Sequence, residues 1–233
     1  MKLTTVSLVA LAVTVATTSA VPVKRAAPQG IDVSHYQGVV NFAAAAANGI
    51  TFAYIKATEG TTYIDPEFSA DYGGATNAGL FRGGYHFAHP DDTSGATQAQ
   101  YFLAHGGGWS SDGITLPGAL DIEYNPSGAE CYGLSASAMV SWIKDFSDTY
   151  HSQTGVYPVI YTTTDWWTTC TGNSAAFAST NPLWIARYAS SVGTLPAGWA
   201  YTTFWQYADS GPNPGDQDEF NGSLQGLKDL ALG

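Results

Sequence analysis

From Ile31 onward, short apolar runs alternate with helix-forming stretches, and this alternation constrains the fold more than any other feature of the chain. Ile31-Asp32-Val33 is a short strand candidate. Asn41 is placed to cap a helix over Ala43–Ala47 that Asn48-Gly49 ends. Thr51–Ala57 reads as a strand, Pro66–Ala78 as a helix with proline at its start, Leu80–Ala88 as a strand and Thr93–Ala104 as a helix. Leu116–Tyr124 is a central strand, Ser135 caps a helix to about Ser152, Val156–Thr162 is a strand, and a helical turn follows near Trp166. Leu183–Tyr188 and Thr202–Tyr207 are strands with no helix between or after them. Strand–helix alternation demands a parallel sheet covered by helices. The chain is therefore expected to be one α/β barrel whose first part is (β/α) and whose end is mostly β. No linker or repeat divides residues 26–233, and Gly211-Pro212-Asn213-Pro214-Gly215 is a turn-rich loop inside the domain.

The central strand carries two acids, Asp121 and Glu123, in an otherwise apolar run. Side chains two apart on a strand share a face. Two carboxylates held together out of water repel and resist ionisation. A carboxylic acid kept protonated beside an ionised partner is what cleavage of a glycosidic bond requires. A metal site or a structural hydrogen-bonded pair is the other use of such an arrangement. In β/α barrels, active sites lie at the C-terminal ends of the strands. Asp32 ends the first strand, Glu123 ends the central one, and Asp218 follows the last strand and its loop, so three segments can bring acids to one mouth.

Composition sets the compartment. Lys2, the apolar Leu8–Ala16 and the small Thr18-Ser19-Ala20 form a secretion signal over residues 1–20. Residues 21–25 read as a propeptide ending in the dibasic Lys24-Arg25, a pattern that resembles fungal secretion, which leaves 26–233 as the mature domain. Removing residues 1–25 takes away Lys2, Lys24 and Arg25 and moves the formal charge from −11 to −14. A chain this acidic is a poor binder of nucleic acid, and none of its later segments is apolar enough to anchor it in a membrane. Cys131 and Cys170, the only cysteines, are expected to pair in an oxidising compartment. Asn221-Gly222-Ser223 is the only glycosylation sequon.

The motifs occur in a familiar order. Gly30-Ile31-Asp32-Val33-Ser34-His35-Tyr36-Gln37-Gly38, Ile55-Lys56-Ala57-Thr58-Glu59-Gly60, Gly84-Tyr85-His86-Phe87, Leu120-Asp121-Ile122-Glu123, Leu183-Trp184-Ile185-Ala186, Trp205-Gln206-Tyr207 and Gln217-Asp218 together resemble the family 25 glycoside hydrolases, the lysozyme-type muramidases. The resemblance covers nearly all of residues 30–221. It implies a flattened (β/α)5β3 barrel that cuts the β-1,4 bond between N-acetylmuramic acid and N-acetylglucosamine in peptidoglycan. It implies Glu123 as general acid with Asp121 beside it, and Asp32 and Asp218 as supporting acids. The last motif departs from the family's usual Val-Asp-Leu-Asn: here one more residue separates Asp218 from Asn221.

Each of these residues also has a plainer use. Asp32 precedes a Ser-His-Tyr turn that it can simply order. Lys56 on a buried strand is expected to pair with an acid, and His35 and His86 serve equally well as satisfied histidines. A saccharide cleft needs aromatic walls, and Tyr161, Trp205 and Tyr207 are assigned to it, while Trp166-Trp167 is expected to pack near Cys170. No cofactor is called for, and no spacing suits a metal. The expected protein is a secreted monomer acting on peptidoglycan. Retention is expected because attack by the substrate's own acetamide, followed by water, inverts twice; a direct role for Asp121 is the other route. A chitinase or endo-N-acetylglucosaminidase is the nearest alternative, but Leu116–Ala119 stand where such enzymes carry further aspartates. A non-catalytic sugar-binding barrel would usually have lost the acid.

Overall fold

The computed structural model describes Met1 and residues 27–233, so the expected signal and propeptide lie outside the described residues. In chain order the elements are β1 (Gln29–Val33), α1 (Phe42–Ala47), β2 (Ile50–Glu59), β3 (Tyr63–Ile64), α2 (Phe68–Asn77), β4 (Phe81–Phe87), α3 (Gly95–Ala104), β5 (Ala119–Asp121), α4 (Ala136–Thr154), β6 (Val159–Thr162), α5 (Thr164–Thr171), β7 (Leu183–Ala186), β8 (Phe204–Ala208), β9 (Asp216–Phe220) and α6 (Leu224–Leu232). Eight strands close a ring in the order β1-β9-β8-β7-β6-β5-β4-β2, sealed by the β1–β2 pairing, while β3 is a hairpin flap on β2. Seven of the eight run parallel. β9 alone is antiparallel to both neighbours, β1 and β8. Five strand–helix units followed by three strands make the (β/α)5β3 barrel that the family resemblance implies.

Local chemistry sets the helix ends. Asn41, Ser94, Ser135, Thr163 and Ser223 each accept a backbone N–H of the first turn through a side-chain oxygen. Gly155, at φ 82°, stops α4 in a left-handed conformation that favours glycine. On α4 the buried positions Met139, Trp142, Ile143, Phe146, Ser147 and Tyr150 follow the helical period. That stripe packs on Ala99 and Phe102 of α3 and on the outer face of the barrel. A Cβ on Gly95 would lie 2.3 Å from the Trp142 carbonyl oxygen, so only glycine lets α3 begin against α4. Inside the barrel, alternation along β2 sends Phe52 and Tyr54 inward, where they meet Trp184, Phe204 and Phe220. Tyr54 stacks on Trp184 with centroids 4.8 Å apart. Leu227 and Ala231 of α6 join this cluster.

Three features differ from the sequence expectation. The regular part of β5 is only three residues; just before it Pro117 has no N–H, and the Gly118 N–H donates to Tyr150 Oη at 2.7 Å rather than to a neighbouring strand. The run still reaches its neighbour on either side of the strand, through Val159 N–H to Gly118 O and Ile122 N–H to Tyr161 O, both 3.0 Å. β9, with three acids in five residues, reads as loop; it is a strand because β1 and β8 supply partners on both sides. Asp218 thus lies within the last strand rather than after it. Helices also do not cease: Leu224, Leu227, Leu230 and Ala231 build α6, a helical pattern the sequence reading passed over.

Cys131 and Cys170 are disulfide-bonded. The bond ties the loop after β5 to α5, where Trp166 Nε1 also donates to Glu130 O. With 39 residues of separation, the chain-entropy model gives about 4 kcal/mol. A thiol assay on denatured, unreduced protein is expected to find no free thiol, and the double Cys→Ala variant to melt at lower temperature. Two titratable thiols would overturn the pairing.

Candidate active site

At the C-terminal ends of the parallel strands the barrel opens into a cavity of about 190 Å³. Asp32 reaches it from β1, Asp121 from β5 and Glu123 from just beyond β5. Because β9 runs the other way, its first residue, Asp216, also stands at this mouth. Asp218, two residues on and on the same face, lies one layer deeper, fully buried, with its Oδ1 accepting from Trp184 Nε1 at 2.9 Å. Gln206 of β8 joins the acids. Its Nε2 donates to Asp32 Oδ2 at 2.7 Å and to Asp216 Oδ2 at 3.0 Å, and its Oε1 accepts from Tyr161 Oη at 2.8 Å and Tyr188 Oη at 3.0 Å. Both amide hydrogens and both oxygen lone pairs are used, which fixes the amide's orientation. At Gly215, φ is 74° and an added Cβ would sit 2.1 Å from Asp32 O, so the rim loop lies directly on the β1 backbone.

The acids form two pairs, Asp121 with Glu123 and Asp32 with Asp218, each within hydrogen-bond reach. Burial pushes Glu123 up to about 7; the hydrogen bond from Asp121 opposes this and the charge of Asp216 adds to it. Asp121 is held well above the usual carboxylate range, first by burial and then by the charge of Glu123. Burial and the neighbouring Asp216 raise Asp32 to about 7, and burial and Asp209 raise Asp216 to about 6. Asp218 is driven well above its ordinary value by burial and the charge of Asp32. Asp121 Oδ1 and Asp218 Oδ2 are buried without a conventional partner. A proton on each, shared with the neighbouring carboxylate, satisfies them. Each pair therefore titrates as a unit that keeps a proton well above the ordinary carboxylate range.

The structure brings Asp32, Asp121, Glu123 and Tyr161 to the cavity and sets Asp218 beneath it. Trp205 and Tyr207 it places elsewhere. They flank the inward Gln206 on β8, so the period of two turns both outward. Trp205 Nε1 donates to Arg187 O at 2.8 Å, and Tyr207 Oη to Gln29 Oε1 at 3.2 Å. Lys56 pairs with an acid as expected, Nζ to Glu59 Oε2 at 2.6 Å. His86 is buried between Thr58 Oγ1 and Gln98 Oε1 and pushed down to about 4, so it stays neutral. Asp216 and Gln206 were missed as site residues. Gln206 lay inside a recognised motif, and choosing the polar face of that strand would have found it. A second cavity, about 270 Å³, shares Glu123 and Tyr161 with the first and continues past Tyr124, Arg187 and Tyr188. Glu123 thus stands where two arms of one cleft meet.

A β/α barrel with two neighbouring buried acids at the strand ends is the arrangement glycoside hydrolases use. Within that class the chain belongs to the glycosyl hydrolases family 25, whose pattern matches residues 31–216. It is 58% identical over 209 residues to the N,O-diacetylmuramidase of Chalaropsis sp, covering 88% of this chain and 99% of that protein. It is 52% identical over 233 residues to the N,O-diacetylmuramidase of Arthroderma benhamiae, covering 100% and 99% respectively. The solved structure of a muramidase from Acremonium alcalophilum superposes with TM-score 0.87 at 63% identity, over 88% of this chain and 99% of that one.

Proposed function

We propose that the chain hydrolyses the β-1,4 bond between N-acetylmuramic acid and N-acetylglucosamine in peptidoglycan, with Glu123 as proton donor and retention at the anomeric carbon. The observation that carries this reading is the position of the Asp121–Glu123 pair at the junction of the two cleft arms. A polysaccharide laid through both arms has its scissile oxygen beside Glu123. Glu123 gives its proton to that oxygen as the bond breaks. The acetamide oxygen of the sugar left on the other side attacks the anomeric carbon. Asp121 then passes its own proton to Glu123 and, as a carboxylate, holds the acetamide N–H while positive charge develops there. As the cyclic intermediate opens, that proton returns to Asp121, and Glu123, again a carboxylate, takes a proton from the attacking water, which restores both acids to their starting state. Asp32 and Asp216, held by Gln206 above the protonated Asp218, offer the sugar hydrogen-bonding oxygens along the same wall.

Export belongs to the same reading. The signal-like residues 1–20, the dibasic site at 24–25 and the closed Cys131–Cys170 bond support it. No helix among the described residues is long and apolar enough to cross a membrane.

Mass spectrometry of borohydride-reduced digests of purified peptidoglycan tests the bond. Reduced muramic acid ends are expected, and reduced glucosamine ends would make the enzyme a glucosaminidase. Following fresh product by NMR tests the stereochemistry: β-anomer is expected first. First-formed α-anomer would rule out the double displacement.

A further inference from the structure

The second arm of the cleft carries a cation whose role the reaction described above leaves open. Among the described residues there are five Lys and Arg side chains, in a chain of strong negative charge. Three are committed to partners: Lys56 to Glu59, Arg82 to Asp112 and two threonine hydroxyls, and Lys144 to Asp148. Lys228 lies on α6, in the helix packed on the opposite end of the barrel. Arg187 directly follows β7, at the mouth, and lines the second arm with Tyr124 and Tyr188. No carboxylate among the described residues lies within ion-pair distance of its guanidinium. The guanidinium has a seat of its own: it lies over Gly193, where a Cβ would come within 2.4 Å of Nη1 and where φ is 70°.

We infer that Arg187 is a recognition residue for a carboxylate substituent of the glycan, gripping it in the arm of the cleft beyond Glu123. This inference rests on the peptidoglycan reading and adds how that substrate is told from a neutral one. A planar guanidinium with no internal partner is suited to bind a carboxylate through two parallel hydrogen bonds. The walls beside it, Tyr124 and Tyr188, are flat aromatic faces for a sugar ring. In a strongly acidic protein, an anionic polymer is repelled everywhere else along its path. A single unpaired cation one arm away from the acid then fixes which residue of the polymer sits on which side of the scissile bond. Two groups on peptidoglycan offer this chemistry: the free lactyl carboxylate of an unsubstituted muramic acid, and the carboxylates of the stem peptide.

The test compares wild type, Arg187→Gln and Arg187→Lys on three substrates. These are peptidoglycan with stem peptides, glycan stripped of peptides by an amidase so that lactyl carboxylates are free, and that stripped glycan after methyl esterification. Arg187→Gln is expected to raise KM about tenfold on the carboxylate-bearing substrate it reads, with kcat within about twofold. Arg187→Lys is expected to recover part of the loss, and added salt to shrink the difference between wild type and variant. On the esterified glycan both variants are expected to lose far less than on the free carboxylate, and added salt to leave that small difference unchanged. A loss on stripped glycan identifies the lactyl group, and a loss confined to peptide-bearing material identifies the stem peptide. An equal loss on the esterified glycan, or no loss on any substrate, overturns the inference. Unchanged melting temperatures keep a folding defect separate. Failure of the peptidoglycan reading itself is seen in wild type, as reduced glucosamine ends or no cleavage of any of the three substrates.

Discussion

Glu123→Gln is expected to leave a folded protein whose turnover on peptidoglycan is lower by ~10²–10³-fold, the usual worth of a positioned general acid. The amide keeps the size and most hydrogen bonds of the carboxyl but has no proton to give to the leaving oxygen. Binding is expected to survive, so the loss falls on kcat rather than KM. The fold is expected to hold because the amide has the carboxyl's shape and Glu123 lies beyond the last residue of β5. Asp121→Asn is the companion experiment. An amide at 121 still donates to Glu123 but cannot deliver a proton to it or become a carboxylate, so a loss of ~10²-fold or more in kcat is expected. Turnover near that of wild type in Glu123→Gln would remove the assignment of the acid. The same result in Asp121→Asn would remove the proton transfer between the pair.

A falling rate at alkaline pH is the second large effect. With Glu123 raised to about 7, the competent, protonated enzyme is lost above that value, and kcat/KM on a soluble, uncharged substrate is expected to drop about tenfold per pH unit. Stability is expected to follow the same direction. Glu123, Asp32 and Asp216 are raised from 4.5, 3.8 and 3.8 to about 7, about 7 and about 6. Between about pH 4 and pH 7 the folded protein therefore holds more protons than the unfolded chain, so its stability declines as pH rises through that window. His86, pushed down to about 4, opposes this between about pH 4 and 6.5 but is one group against three, while Glu59 and Asp112, lowered to about 2, also act in the opposite sense and lose their contribution only below about pH 4. Thermal melts are expected to show a higher midpoint at pH 5 than at pH 7.5. The reverse order, or a rate that climbs above neutrality, would be incompatible with buried, protonated carboxyls. On intact cell walls, added salt is expected to widen the active range upward by screening the repulsion between acidic protein and anionic wall.

The barrel was legible because its evidence is local. Caps at Asn41 and Ser135, the stripe on α4 and the β-rich runs each point to one element, and their order admits few folds. The acids Asp121 and Glu123 were legible for a related reason: charge inside an apolar strand has few explanations. What escaped notice depends on distant partners. β9 has no strand-forming composition and exists because two edges wait for it. Asp216 was therefore invisible as a site residue until the direction of that strand was known. Trp205 and Tyr207 show the opposite error. Aromatic residues beside a motif looked like sugar platforms, yet one step of alternation gives the inward place to Gln206.

The reversed last strand also decides which way the molecule can be held. β1 starts at the end of the barrel far from the mouth, and β9 carries the chain back to that same end, where α6 packs against the inner cluster. Residues 29 and 232 therefore share one pole, with the cleft at the other. A support, a tether or a fused module attached at either end leaves the cleft facing outward, so an immobilised form can meet an insoluble wall without turning its working face to the surface that holds it.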